Sequence, residues 1–327
     1  MSNQPFIEVK DLVKHFPLKA GLFSRTAEKV HAVNGVSFAI EKGQTHGLVG
    51  ESGSGKTTTA RLLLRVIEPD SGSFSFGDTP DVFALAPAQL KKLRKDMQYI
   101  FQDPYASLNP KMQIRDIVTE PLRYSGAAVK KFSSEDLNST AEELLERVGL
   151  SGGDIRKYPH EFSGGQRQRI SIARALSAKP SFIVCDEPVS SLDVSIQSQI
   201  LNLLLDIQAQ TGISYLFIAH NLAVVFYLSD YVSVMYAGRI VEAGPSKALS
   251  SRARHPYTKL LLSAMPGNRS ADGASAGDAG EPPSLIHLPE GCAFYSRCPL
   301  RRDACREAVP PLAETESGHW TACFISP

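Results

Sequence analysis

Short blocks of consecutive apolar residues alternate along the chain with longer stretches in which apolar residues recur every three or four positions. Thr45–Val49, Phe182–Cys185 and Tyr215–Ala219 are brief runs rich in Val, Ile, Leu and Phe, the pattern of strands buried on both faces. Between the last two, Ser195–Gln210 sets Ile196, Ile200, Leu203, Leu204 and Ile207 on one stripe, and Gly212 follows near its C-terminal end, which predicts an amphipathic helix. Strand, helix and strand in that order imply a right-handed parallel crossover, so the body of the chain is expected to be α/β.

From about Pro104 to Lys179 the alternation stops and the pattern is mostly helical, as for a helical insert (104–179) between two strands of a core sheet. Ser133-Ser134-Glu135-Asp136 has the composition of a capped helix start; Leu137, Ala141, Leu144, Leu145 and Val148 then share a face, and Gly149 ends the run. Val232–Ala237 and Arg239–Glu242 flank Gly238, which suggests a hairpin. Gly267–Ser284 is small, polar and aperiodic and is expected to be a flexible linker. The chain thus divides into a body of residues 1–265, a linker of residues 266–284 and a short tail of residues 285–327.

Composition narrows the function classes. With 35 basic and 34 acidic side chains, the net charge of +1 argues against binding nucleic acid through a basic tail or patch. No apolar run approaches the ~20 residues of a membrane helix, and Met1–Lys10 is no signal peptide. A soluble cytoplasmic chain is expected, held at a membrane, if at all, by partners. Cysteine distribution changes the picture more. Of five cysteines, four (Cys292, Cys298, Cys305 and Cys323) fall in the tail, and in a reducing compartment that points to a metal or cluster before disulfides.

Three motifs carry chemistry. Gly50-Glu51-Ser52-Gly53-Ser54-Gly55-Lys56-Thr57 matches G-x-x-x-x-G-K-[ST] in full, after a strand and at the start of a helix expected to contain Leu62, Leu63 and Val66. Its glycines let backbone N–H groups fold around a phosphate chain, Lys56 reaches the β- and γ-phosphates, and the Thr57 hydroxyl, beside Thr58, ligates Mg²⁺. Phe182–Glu187 is an apolar strand ending in two carboxylates; Asp186 is the candidate for Mg²⁺, largely through water, and Glu187 for polarising the attacking water. Cys185, inside that strand, is expected to pack. Phe162-Ser163-Gly164-Gly165-Gln166 precedes a helix with Ile170, Ala173 and Leu176 on one side and Arg167, Arg169 and Arg174 nearby, a second anion site at a helix start. Two phosphate sites and one nucleotide motif suggest a site shared across a dimer.

These motifs, followed by Ser190-Ser191-Leu192-Asp193 and His220, occur in the order found in an ATP-binding cassette (ABC) ATPase, and Gln102 in Tyr99-Ile100-Phe101-Gln102-Asp103 stands where that family has its glutamine loop. The chain resembles that family over roughly residues 6–265. Tyr105–Pro110, His255-Pro256-Tyr257-Thr258 and the cysteine tail further resemble ATPase subunits of dipeptide and oligopeptide importers, whose relatives also carry nickel or other small solutes. Phe162 and Ser191 replace the family's commoner leucine and alanine, both conservatively.

The resemblance implies a P-loop NTPase fold with a RecA-like core, an antiparallel β subdomain and a helical insert. It implies that two cassettes close head to tail on two ATP molecules, the phosphate loop of one facing Ser163–Gln166 of the other. Glu187 then activates water, His220 contacts the γ-phosphate, Asp193 links the two sites, and Gln102 senses the γ-phosphate, touches Mg²⁺ and joins the core to the insert. Adenine is expected on Phe16, which could equally be a core residue. The implied partners are a second, similar ATPase chain, two permease subunits gripped by the insert and, indirectly, an extracytoplasmic peptide-binding protein, with the chain peripheral on the cytoplasmic face of the inner membrane. The competing function is a soluble cassette ATPase acting on nucleic acid or ribosomes, which normally shows coiled-coil inserts or two cassettes in one chain.

The tail spacing is C-x₅-C-x₆-C-x₁₇-C and lacks the close pairs usual for zinc. Four thiolates on a proline-bearing, loop-rich scaffold suit a [4Fe–4S] cluster, with Arg297, Arg301, Arg302 and Arg306 offsetting its charge. Zinc, with His319 able to replace one cysteine, and unligated thiols or a redox disulfide remain open. A structural staple is the expected role, since so short a segment cannot build a core alone.

Overall fold

The computed structural model describes residues 5–18, 28–124, 132–265 and 280–325. Residues 266–279 of the expected linker lie outside these. The strands are β1 Ile7–Pro17, β2 Lys29–Ile40, β3 Thr45–Val49, β4 Ser71–Phe76, β5 Met97–Ile100, β6 Phe182–Asp186, β7 Ser214–Ala219, β8 Tyr231–Tyr236, β9 Arg239–Pro245, β10 Ala313–Glu316 and β11 His319–Thr321. The chain forms two compact units, one of residues 1–83 with 219–327, the other of residues 84–218.

In the first unit, β2, β1 and β4 form an antiparallel three-stranded sheet, with β1 central. Alongside it, β3 pairs in parallel with β8, and β8 runs antiparallel to β9. The β8–β9 turn holds Ala237 and Gly238 at φ of 46° and 80°, the two successive positive angles that let a two-residue hairpin follow the strands' twist. The tail then contributes to the same layer: β11 pairs with β9, Trp320 opposite Ala243 and Thr321 opposite Glu242, and β10 pairs with β11. Glu242 is fully buried there and accepts hydrogen bonds from the Arg254 N–H (2.6 Å), the His255 N–H (3.0 Å) and His319 Nε2 (2.8 Å), the satisfaction a buried carboxylate requires.

In the second unit, β5, β6 and β7 lie side by side in parallel, and the β6–β7 pair is the one the apolar runs predict. Phe182, Ile183, Val184 and Cys185 are all fully buried, each apolar side chain contributing about 1.5–3 kcal/mol through removal from water. Burial pushes the Cys185 thiol far up its scale, consistent with packing rather than reactivity. The crossover helix spans Val194–Thr211, and Gly212, at a φ of 68°, caps its end. Between β5 and β6 the described residues form helices, among them Ser134–Arg147 and Gly164–Ser177. Ser133 caps the former by accepting from the Asp136 N–H at 3.0 Å while Asp136 accepts from the Ser133 N–H at 2.9 Å.

The sequence pattern overreached at Val66. The helix that follows the phosphate loop spans only Lys56–Leu63, and Val66 is 66% exposed. Arg65 turns to a φ of 51°, and its guanidinium holds Glu68 and the Val82 carbonyl, so the chain leaves the helix before Val66 can join the stripe. Among the described residues no helix is long and apolar enough to cross a membrane.

Two buried histidines set a pH dependence. Burial pushes His46 and His255 down to about 4. The unfolded chain takes up these protons near pH 6.5 and the folded chain resists until about pH 4, so acidification favours unfolding, by up to about 3 kcal/mol per histidine. The urea midpoint is expected to fall steadily from pH 7 to pH 5, with a shallower slope for His46→Leu. An unchanged slope in that variant would contradict the assignment.

Candidate functional site

In the first unit, fully buried β3 delivers the loop Gly50–Lys56. Two of its glycines are required by the packing. A Cβ at Gly50 would lie 2.1 Å from the Met235 carbonyl oxygen; at Gly55, where φ is +107°, it would lie 2.2 Å from the Ala32 carbonyl oxygen. The loop is wrapped on its own lysine. Lys56 is 5% exposed, and its ammonium donates to the carbonyls of Gly50 (2.7 Å) and Glu51 (2.8 Å) and to Ser54 Oγ (3.3 Å). Ser52 and Gly53 are exposed at the loop tip, and Thr57 and Thr58 are half-buried in the helix's first turn.

His220 follows β7 directly and is exposed. Phe16, near the end of β1, is 37% exposed, with the Lys14 ammonium 5.6 Å from its ring centroid. That exposure rules out the alternative of a core residue.

In the second unit the end of β6 gathers three of the expected groups. Asp186 is 3% exposed and accepts from the Tyr99 hydroxyl at 2.5 Å. Gln102 Nε2 donates to Glu187 Oε2 at 2.9 Å, so the glutamine loop and the acid expected to activate water are in direct contact. Glu187 holds a φ of 48°, a left-handed conformation rare for a residue with a Cβ and concentrated at functional positions; its N–H donates to the Ile218 carbonyl at 2.9 Å.

Ser163 caps the Gly164–Ser177 helix in a reciprocal pair: it accepts from the Gln166 N–H at 3.4 Å, and Gln166 Oε1 accepts from the Ser163 N–H at 2.9 Å. A Cβ on Gly165 would lie 2.5 Å from Ile196 Cγ2, so helix and crossover pack closely there. The neighbouring arginines hold protein carbonyls: Arg167 that of Pro159 at 2.7 Å, Arg169 that of Val148 at 2.6 Å, Arg174 that of Ser107 at 2.6 Å. They brace the helices around the motif. Asp193 is the exposed N-cap residue of the Val194–Thr211 helix.

The tail brings its four thiols into one neighbourhood. Cys292 and Cys298 each feel the charges of Cys305 and Cys323, and the Cys292 N–H donates to the Cys305 carbonyl at 2.8 Å. Burial, reinforced by those neighbours, pushes Cys292 up to about 11, and burial also raises Cys298. Yet among the described residues no group of three or more His, Cys, Asp or Glu is gathered closely enough to hold a metal ion, so the expected metal centre is not formed as a ligand sphere. Two further details bear on the sequence reading. His319 Nε2 is bonded to Glu242, which leaves Nδ1 as the nitrogen without a hydrogen-bond partner, and Arg297 is turned to the phosphate loop. Arg297 makes a two-pronged ion pair with Glu51 of that loop, at 2.8 and 2.9 Å. The sequence reading named Tyr99 and Tyr257 only as members of the Tyr99–Asp103 and His255–Thr258 motifs, and Arg297 only among the tail arginines; the roles found here for all three were missed.

Comparison with known proteins agrees with this chemistry. Residues 33–190 match the ABC transporter family model, and residues 241–305 match that of the oligopeptide/dipeptide transporter C-terminal region. The oligopeptide transport ATP-binding protein AppF of Bacillus subtilis is 43% identical over 99% of this chain and 98% of its own. The di/tripeptide transport ATP-binding protein DppF of Pseudomonas aeruginosa is 46% identical over 94% of this chain and 93% of its own. Among solved structures, a dimeric ATP-binding cassette in a post-hydrolysis state bound to ADP and Pi is 25% identical, covering 73% of this chain and 98% of that one with a TM-score of 0.63. CbiO1 of Clostridium perfringens, part of an ABC transporter complex, is 26% identical, covering 76% of this chain and 92% of that one, also at 0.63. With its phosphate loop, its acidic strand end and full-length likeness to such ATPases, the chain belongs to the ABC transporter ATP-binding proteins, in the oligopeptide/dipeptide transporter family.

Proposed function

We propose that this chain is the ATP-hydrolysing subunit of a membrane importer of di- and oligopeptides. The carrying observation is that relatives matched over nearly the whole chain are named for oligopeptide and di/tripeptide transport, while the hydrolytic residues Lys56, Asp186, Glu187 and His220 are all present. The loop Gly50–Thr57 binds the phosphates, with Thr58 in the same first turn, and Phe16 stacks on adenine. Glu187 accepts the proton of the attacking water, and His220 holds the γ-phosphate. Thr57, Gln102 and Asp186 supply the hard oxygen donors Mg²⁺ prefers; the ion neutralises phosphate charge when bound. Ser163–Gln166 of a partner cassette closes on the same ATP, with Asp193 at the junction.

The contact between Gln102 and Glu187 supports a gating role for the glutamine. While its amide holds the carboxylate, that oxygen is occupied, and recruitment of Gln102 to nucleotide and metal frees it for water. The partners are a second, similar but different cassette and two permease subunits, with cargo chosen by an extracytoplasmic binding protein and the chain peripheral on the cytoplasmic face of the membrane. Purifying the tagged chain from detergent-extracted membranes tests this: a second cassette and two permeases are expected at equal amounts, whereas nucleic acid or ribosomal protein in their place would favour the soluble alternative. Nickel rather than peptide uptake by the complex would keep the importer and change its cargo.

For the tail we propose a [4Fe–4S] staple on Cys292, Cys298, Cys305 and Cys323. Support comes from the shared neighbourhood of the thiols, the burial of Cys298 and Cys305, and Arg301, which offsets thiolate charge at Cys298. A raised thiol pKa means that loading releases protons, so loading is expected to weaken as pH falls. Protein purified without oxygen is expected to carry about four iron and four sulfide per chain, lost in Cys298→Ser. Zinc without iron would recast the tail as a zinc staple, and the absence of both metals would overturn the proposal.

A further inference from the structure

We propose that Arg297, from the cysteine-bearing tail, is a positioning residue of the phosphate-binding loop, so that the tail completes the nucleotide site; the proposal rests on the reading of that loop as the ATP site. The arginine lies in the segment between Cys292 and Cys298, whose start is anchored by the Cys292 N–H to Cys305 carbonyl bond. Its guanidinium meets Glu51 as a fork, Nη1 to Oε2 at 2.8 Å and Nη2 to Oε1 at 2.9 Å, and Nη1 also donates to the Tyr236 hydroxyl at 3.3 Å. The arginine side chain is 7% exposed and the glutamate's 29%. Tyr236 and Phe294 meet edge to face, 5.3 Å apart, and the guanidinium lies beside the pair, 5.7 and 5.6 Å from their ring centroids; Tyr257 packs on both rings.

Every polar group of Glu51 is thereby engaged. Its N–H donates to the Tyr257 hydroxyl at 2.9 Å, its carbonyl accepts from the Lys56 ammonium at 2.8 Å, and its carboxylate takes the arginine fork. Two consequences follow. The Gly50–Glu51 peptide is fixed with its carbonyls toward Lys56, which presets the loop's curvature before a ligand arrives. The Glu51 charge is also cancelled at a loop that must receive a polyanion. Without Arg297, an unpaired carboxylate would stand beside the incoming phosphates and repel them.

The test is ATP affinity of the full-length chain, read with a fluorescent ATP analogue. Arg297→Ala is expected to weaken binding about tenfold to a hundredfold, the range for a lost hydrogen bond to a charged group. Adding Glu51→Gln to that variant removes the unmatched charge and is expected to bring affinity back to within about threefold of the parent. A role confined to holding the tail predicts no such rescue. The proposal is overturned if Arg297→Ala binds within about twofold of the parent, or if the double variant is as weak as the single. Should Arg297→Ala not fold, Arg297→Lys, which keeps the charge and loses the fork, is expected to lose about three- to tenfold, with parental affinity the contrary result. Failure of the parent chain itself to bind ATP, or normal binding by Lys56→Ala, would instead remove the nucleotide reading beneath it.

Discussion

Glu187→Gln is expected to lower ATP turnover by about 10²–10⁴-fold, the contribution of a positioned general base, while ATP binding survives. The amide matches the carboxylate in shape and can still accept from Gln102 Nε2, which reaches Glu187 Oε2 at 2.9 Å. The backbone at a φ of 48° is kept as well. What disappears is the capacity to take a proton from water and the negative charge that orients it. With closure driven by ATP and opening by its hydrolysis, the variant is expected to accumulate as an ATP-bound dimer, visible by gel filtration with nucleotide retained. Turnover within about threefold of the parent would mean that another group activates water.

Lys56→Ala is expected to cost at least about a hundredfold in ATP affinity, and activity with it. A charged donor contributes about 1.5–3 kcal/mol per hydrogen bond, and the proposed role gives this ammonium more than one to the β- and γ-phosphates. The present structure shows what it does beforehand: 5% exposed, it gathers the carbonyls of Gly50 and Glu51 and the Ser54 hydroxyl. The alanine variant therefore loses both the phosphate contact and the post around which the loop is wound. Titration with the same fluorescent analogue checks this, and an affinity unchanged within about threefold would remove Lys56 from the site.

Much of this was legible in the sequence because local pattern and local chemistry coincide there. Three buried strands read as apolar runs, since a strand covered on both faces has no polar positions to alternate with. The phosphate loop and the Ser163–Gln166 cap are contiguous, so their geometry is written in adjacent residues. Arg297 was read wrongly for the opposite reason. Four arginines among four cysteines suggest charge compensation, and nothing local shows that one of them reaches Glu51, 246 positions away. Tyr99 was quoted only as a neighbour of Gln102, because its link to Asp186 depends on the parallel register of β5 and β6. Arg167, Arg169 and Arg174 lay beside an anion motif, yet their carbonyl partners come from other turns and helices that no spacing rule reaches. Val66 failed because a periodic pattern does not register a single left-handed residue at Arg65.

The central claim is that hydrolysis by this chain drives peptide across a membrane. Its most direct test is uptake of a labelled tripeptide by proteoliposomes containing the full complex, ATP on the side of this chain and the peptide-binding protein on the other. The account predicts uptake that requires ATP hydrolysis and vanishes when Glu187→Gln replaces the parent chain. Uptake that persists undiminished with that variant, or ATP turnover that responds to nucleic acid and never to peptide, would contradict it.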